Sequence, residues 1–170
     1  MKNNATNSPV LTLVYGAAIA AIYVVLTMVF LPISFGPIQF RISELLCVLP
    51  YFTPAAIPGL FIGCLLANFL GGAAALDVIF GSIATLIGAV FTYKLRNCSR
   101  FLAPIPPIAA NSIIVPFVLR FGYGVNLPIP LMILTVGIGE VISCAVIGLI
   151  LQTALLKYKG IIFRSQKSAL

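Results

Sequence analysis

Residues 10–31 read VLTLVYGAAIAAIYVVLTMVFL, from Val10 to Leu31 without one Asp, Glu, Lys or Arg. About 20 consecutive apolar residues suffice to cross a bilayer as a helix. The stretch is too long for the apolar core of a signal peptide, and no polar mature domain follows it. It therefore predicts a first membrane helix, ended by Pro32 and the Gly36-Pro37 turn. The rest of the chain agrees. Of its 170 residues, 61% are hydrophobic and 8% charged, and the mean hydropathy is +1.17. Soluble domains run at about 45–50% apolar and about 25% charged. Such a composition excludes a soluble globular domain, a disordered chain and a coiled coil, and predicts an all-α, polytopic membrane protein.

Working outward, apolar runs place further helices at about 42–53, 56–71, 76–96, 104–121 and 128–157. That makes six with the first (about 10–31), in a single membrane-embedded domain over residues 1–170. The segment from Ile42 to Gly71 is the difficult one, because Pro50, Pro54, Pro58 and Gly59 break it in the middle. It is either two short tilted helices or a re-entrant hairpin, and both return the chain to the side it left. With the N-terminus inside, the cytosolic segments hold Lys2, Lys94, Arg96, Arg100, Lys157, Lys159, Arg164 and Lys167, leaving Arg41 and Arg120 outside. This asymmetry, and not nucleic-acid binding, accounts for the formal net charge of +7. It predicts both termini in the cytosol of a cell-membrane protein.

Charged groups near the bilayer centre cost roughly 2.5–3.5 kcal/mol on insertion scales, so each needs a reason. Gln39, Arg41 and Glu44 fall at the first outer loop and the start of helix 2. Asn68 ends helix 3, Asp77 opens helix 4, and Arg120, Tyr123 and Asn126 close helix 5. Glu140 lies in Gly137-Ile138-Gly139-Glu140, in the outer half of helix 6 and far from either end. All three acids thus converge on the outer half, as an outward-facing solute pocket between helices requires. Asn111 is a further pocket candidate. Each residue also has a plainer reading. Arg41 and Glu44 have the spacing of an i,i+3 pair, Asp77 suits a helix N-terminus, Arg120 can snorkel to headgroups, and Asn68 can bond a neighbouring helix.

In helix 1, Ala17 and Ala21 form an AxxxA strip, which serves either internal packing or docking on another membrane protein. Cys47, Cys64, Cys98 and Cys144 form no CxxC and read as small packing residues. The sequence has no His, no P-loop, no HExxH and no GxSxG, and so offers no enzyme active site, metal site or cofactor motif. A solute-binding membrane protein without its own engine needs a partner that has one.

The stretches Phe40-Arg41-Ile42-Ser43-Glu44, residues 49–60 (LPYFTPAAIPGL), Gly63-Cys64-Leu65-Leu66-Ala67-Asn68 and Asp77-Val78-Ile79-Phe80-Gly81-Ser82 resemble the QueT family. Members of that family are substrate-binding S components of energy-coupling factor (ECF) transporters. The resemblance implies an S-component-like bundle that takes up a queuosine precursor or salvage compound of the 7-deazaguanine class. It implies a complex with a transmembrane coupling subunit and two cytosolic ATPases, whose ATP hydrolysis topples the S component. It also implies docking through the alanine-rich first helix.

The residues suit such a ligand. A carboxylate can accept both donors of a guanine-like edge, and Arg or Asn suits its carbonyl. Glu140 is assigned to that edge, with Arg41, Glu44, Asn68 and Asp77 completing the pocket and Tyr51, Phe52 or Tyr123 stacking on the ring. The roles of Glu44 and Asp77 are exchangeable with that of Glu140. Three other readings remain: an S component for another vitamin-like solute, a structural or assembly membrane protein, and a small proton-coupled exporter using Glu140.

Overall fold

The computed structural model describes residues 9–34 and 41–162. Lys2, Gly36, Pro37, Gln39, Phe40, Arg164 and Lys167, which entered the sequence reading, lie outside the described residues. Every regular element among the described residues is helical. Helix α1 is Pro9–Val29, α2 is Ile42–Tyr51, α3 is Ala56–Leu70, α4 is Asp77–Leu95 and α5 is Ile105–Gly122. Helix α6 covers 129–162 in three continuous pieces: α-helical Ile129–Glu140, π-helical Val141–Ile147 and α-helical Gly148–Ile162. Four helices are long and apolar enough to cross a membrane, namely α1, α4, α5 with its preceding turn, and α6. The chain is thus a multi-pass membrane protein. Its lipid-facing surface carries the large apolar side chains that a soluble protein would bury, such as Leu13, Val25, Phe69, Ile113 and Ile150.

The difficult segment forms two short helices. Helix α2 is a 3-10 helix of 10 residues with Pro50 inside it, far longer than the usual run of three or four. At about 2.0 Å per residue it reaches about 20 Å, where an α-helix of equal length reaches about 15 Å. The turn after it brings the Ala55 carbonyl against Gly16. That places the turn about 10 Å, or two turns, in from the start of α1.

Small residues set the helix spacing. A Cβ at Gly59 of α3 would stand 2.7 Å from the Gly16 carbonyl oxygen of α1, and one at Gly63 would stand 2.9 Å from the Tyr23 Cβ. On α4, a Cβ at Gly88 would stand 2.7 Å from the Pro107 Cα of α5. Without a hydrophobic drive between helices in lipid, this close approach supplies the packing energy. The stripe of α1 that packs inward is Gly16, Ile19, Ala20, Tyr23 and Thr27, whereas Ala17 and Ala21 face outward. One core gathers Ile19, Tyr23, Leu46, Leu60, Cys64 and Ala89 from α1 to α4. A second joins Val115 and Leu119 of α5 to Met132 and Val136 of α6.

The two ends of the bundle differ. At one end Arg96 lies 3.8 Å from the Tyr93 ring centroid, and Arg100, Lys94 and Lys157 lie over Phe101, Phe91 and Tyr158. Cations beside aromatic rings are the usual furniture of a membrane–water boundary. The opposite end holds the acids.

Candidate functional site

Two linked polar groups occupy that end, one above the other. The upper group is built on Asp77. The Arg41 Nη2 approaches the Asp77 Oδ2 at 2.6 Å, with the two side chains 6% and 0% exposed. The same oxygen accepts a hydrogen bond from the Tyr123 hydroxyl at 2.9 Å. That hydroxyl in turn accepts from the Ala74 amide at 3.2 Å. Asn68 donates to the Asp77 backbone carbonyl at 3.1 Å and, like Thr85, contacts the Cys64 Sγ. Arg41 precedes α2 in an extended conformation (φ −97°, ψ 106°), which lets its side chain cross to α4. Its ion-pair partner among the described residues is therefore Asp77 and not Glu44, three residues away. Partial burial, with the Asp77 charge adding to it, pushes the Tyr123 phenol up to about 12. The hydroxyl therefore remains a donor across the physiological range.

The lower group is built on Glu44 and Glu140. Tyr23 of α1 donates to Glu44 Oε1 at 2.5 Å, and the Cys47 thiol donates to Oε2 at 2.7 Å. Cys144 of α6 lies 3.3 Å from Glu140 Oε2 and 3.4 Å from the Glu44 carbonyl oxygen. Asn111 of α5 is buried near the Glu140 carboxylate. Beside them Thr27 donates to Ser43 at 2.9 Å. Both carboxylates are buried, Glu44 at 1% and Glu140 at 6% exposure.

Local helix geometry changes at these acids. Asp77 starts a π-helical segment, Asp77–Gly81, and Glu140 immediately precedes another, Val141–Ile147. An i→i+5 turn inserts one extra residue and rotates the side chains that follow; such bulges are frequent at functional sites. Glycine makes room as well, since a Cβ at Gly81 would run into the Asp77 carboxylate. Two buried polar atoms in this region, Asp77 Oδ1 and Ser143 Oγ, have no hydrogen-bond partner among the described residues.

Six of the sequence-derived candidates are thus brought together: Arg41, Asn68, Asp77 and Tyr123 above, Glu44 and Glu140 below. Tyr51 lies at the far end of α2, its ring edge-on to Phe52 at 5.2 Å between centroids, and these rings are not part of either polar group. Arg120 instead closes the α5–α6 loop through the Val125 carbonyl and the Asn126 side chain. Sequence reasoning overlooked Tyr23, Cys47, Cys64, Thr85 and Cys144 as neighbours of the acids. Tyr23 was legible in principle, because it continues the stripe of small and polar residues at Gly16, Ala20 and Thr27. Cys47, Cys64 and Cys144 are packed as small residues, whereas Cys98, expected to pack likewise, is exposed in the turn after α4; the three buried ones also contact the charged groups, which no spacing rule reveals.

The arrangement sets three buried carboxylates against one buried guanidinium. An unpaired charge is costly where water is absent, so such a cluster favours hydrogen-bond donors and cations over further anions. Nothing in it resembles a nucleophile–base pair.

No solved structure matches the chain. The Queuosine precursor transporter QueT of Lactococcus lactis subsp. cremoris (strain MG1363) is 45% identical over 73 residues, which are 42% of this chain and 43% of that protein. The alignment thus spans less than half the length of that relative. The model of the family described as QueT transporter matches residues 13–157. That match contains every residue of both polar groups, and by it the chain belongs to the QueT transporter family, a family of transporters rather than enzymes.

Proposed function

We propose that the chain is the substrate-binding membrane subunit of an ECF-type importer, capturing a queuosine precursor or salvage compound of the 7-deazaguanine class. The observation that carries this reading is the excess of buried acid at one end of the bundle, beside the unpartnered Asp77 Oδ1 and Ser143 Oγ. A 7-deazaguanine brings the ring N–H and exocyclic amine donors that one carboxylate can accept together. An aminomethyl substituent brings a cation for a second carboxylate. The L. lactis relative is named for a queuosine precursor, which supports the same chemistry. Glu140 takes the guanine edge, Glu44 the second charge, and Asn111 or Asn68 the carbonyl. The contact of Tyr123 and Arg41 with Asp77 closes the outer end and opens to admit the solute.

In this reading the chain crosses the cell membrane six times, α2 and α3 included, with both termini cytosolic. The cluster of Lys94, Arg96, Arg100 and Lys157 opposite the acids supports that orientation. The coupling subunit docks on the outward-facing Ala17 and Ala21 of α1. Two cytosolic ATPases then drive the toppling that delivers the solute.

Calorimetric titration of the purified chain, alone and with its coupling module, tests the reading. The panel comprises aminomethyl- and cyano-deazaguanine, queuine, queuosine, guanine, riboflavin and biotin. Tight binding of a deazaguanine is expected, with guanine much weaker and with more than a tenfold loss of affinity in Glu140→Gln. Tight binding of a vitamin instead transfers the mechanism to another solute. A folded complex that binds none of them sinks the proposal.

A further inference from the structure

The Cys47 and Cys144 thiols stand between the two lower carboxylates. One carboxylate oxygen of Glu44 and the two sulfurs all lie within 4.8 Å of one another and are buried. Glu140 Oε2 stands 3.3 Å from the Cys144 sulfur. Two sulfurs and one carboxylate oxygen on α2 and α6 therefore converge, with the second carboxylate beside one of the sulfurs. We infer that this cluster is a binding site for a borderline-soft divalent transition metal, Zn²⁺ by its donor chemistry, with Cys47, Cys144 and Glu44 as ligands and the Glu140 carboxylate, beside Cys144, swinging in as the fourth. The inference is independent of which solute the chain carries.

The geometry is close to what such an ion needs. Zn–S bonds of about 2.3 Å and Zn–O bonds of about 2.1 Å at a tetrahedral centre put sulfur and oxygen about 3.6 Å apart. The Cys47–Glu44 contact of 2.7 Å has to open by about 1 Å for that, within reach of a carboxylate rotation. The Cys144–Glu140 separation already fits. Thiolates select Zn²⁺ or Cu⁺ over Mg²⁺ and Ca²⁺, and the carboxylates shift the preference from Cu⁺ towards Zn²⁺.

The charge balance also permits it. Without metal, the two thiols are S–H donors beside two carboxylates. Loading one dication releases the two thiol protons and forms two metal–sulfur bonds, so the net charge of the cluster is unchanged. No extra charge is buried by the exchange, which removes the usual objection to an ion at this depth. Cys64, the third buried cysteine, faces Arg41 and is unsuited to a cation. Cys98 is exposed.

The test uses the purified full chain in detergent and Co²⁺ as the probe. The expected result is one Co²⁺ per chain, with a thiolate-to-metal charge-transfer band and the intense visible bands of a tetrahedral site, all displaced by Zn²⁺. Cys47→Ser and Cys144→Ser should each weaken binding by more than the roughly 10–100-fold that loss of a supporting hydrogen bond costs a metal site. Cys64→Ser and Cys98→Ser should leave it unchanged. Mass spectrometry of the unmutated chain after maleimide treatment should show Zn²⁺ protecting Cys47 and Cys144, a readout that survives if a serine variant fails to fold. A folded chain without the charge-transfer band, a band that disappears with Cys98→Ser, or absence of protection at Cys47 and Cys144 overturns the inference.

Discussion

Removing the guanidinium of Arg41 while leaving Asp77 in place tests the upper group most sharply. The two side chains are 6% and 0% exposed and meet at 2.6 Å. At that distance an effective dielectric constant of 20 gives an attraction of about 6 kcal/mol, set against a desolvation cost of several kcal/mol per ion. The pair itself is therefore near neutral, but a lone buried carboxylate is not. Arg41→Met should destabilise the chain by ~3–5 kcal/mol, because among the described residues the Tyr123 hydroxyl and the Asn68 contact to the backbone are what remain around Asp77. A chain of this size should lose about 6–20 °C in Tm. Asp77→Asn alone should cost a comparable amount, since it leaves the cation buried. The double variant Arg41→Met/Asp77→Asn removes both charges and should recover most of the loss. A double-mutant cycle in detergent, read by thermal unfolding and by titration with a denaturing detergent, measures this coupling. Costs that simply add, or a single-variant loss below ~1 kcal/mol, would refute the picture of a desolvated and mutually dependent pair.

Three further outcomes follow from the packing and the surface. Gly59→Ala should destabilise by ~1–3 kcal/mol, because its Cβ meets the Gly16 carbonyl at 2.7 Å and backbone cannot step aside; thermal unfolding of the variant measures it. Ala17→Phe and Ala21→Phe point away from the bundle, so solute binding and stability of the isolated chain should stay within about 0.5 kcal/mol of the parent, while co-purification with a coupling subunit is lost. Raising the pH should leave the Tyr123–Asp77 contact intact to about 10, the ordinary phenol value. Because the native state holds the phenol proton up to about 12, the contribution of this contact is full below the unfolded value and is lost as pH rises from there through the folded one. Tyrosinate absorbance should show a late ionisation step that Tyr123→Phe removes.

Much of the architecture was legible because lipid simplifies the code. A charge-free run such as residues 10–31 has one stable outcome in a bilayer, a helix that satisfies its own backbone, and the spacing of acids and bases along the chain sorts them to opposite ends. The segment 42–71 was less legible. Pro50 and Pro54 announce a break, but the choice of a 3-10 helix rests on how α2 is squeezed between α1, α4 and α6, which no local propensity records. The site was legible at the level of residue types. Arg41, Glu44, Asn68, Asp77, Tyr123 and Glu140 stood out as polar exceptions, whereas Tyr23, Cys47 and Cys144 were hidden because they are ordinary residues for an apolar helix.

Composition and residue order suffice to make this a polytopic helical membrane protein with its three acids towards one end. That follows from the cost of putting charge and unpaired backbone into hydrocarbon, which depends on composition and order alone. The partnerships among those residues arise from the packing of the helices. Arg41 leaves the helix axis in an extended conformation and reaches Asp77, 36 residues away, instead of its near neighbour Glu44. Two π-helical segments begin at or just after Asp77 and Glu140 and reset the faces that α4 and α6 present beyond them. The α1 face divides between Gly16 and Ala20, which close on α3, and Ala17 and Ala21, which do not. These choices depend on which surfaces meet when the helices pack, a matter of volume and rotation that no stretch of the chain carries alone.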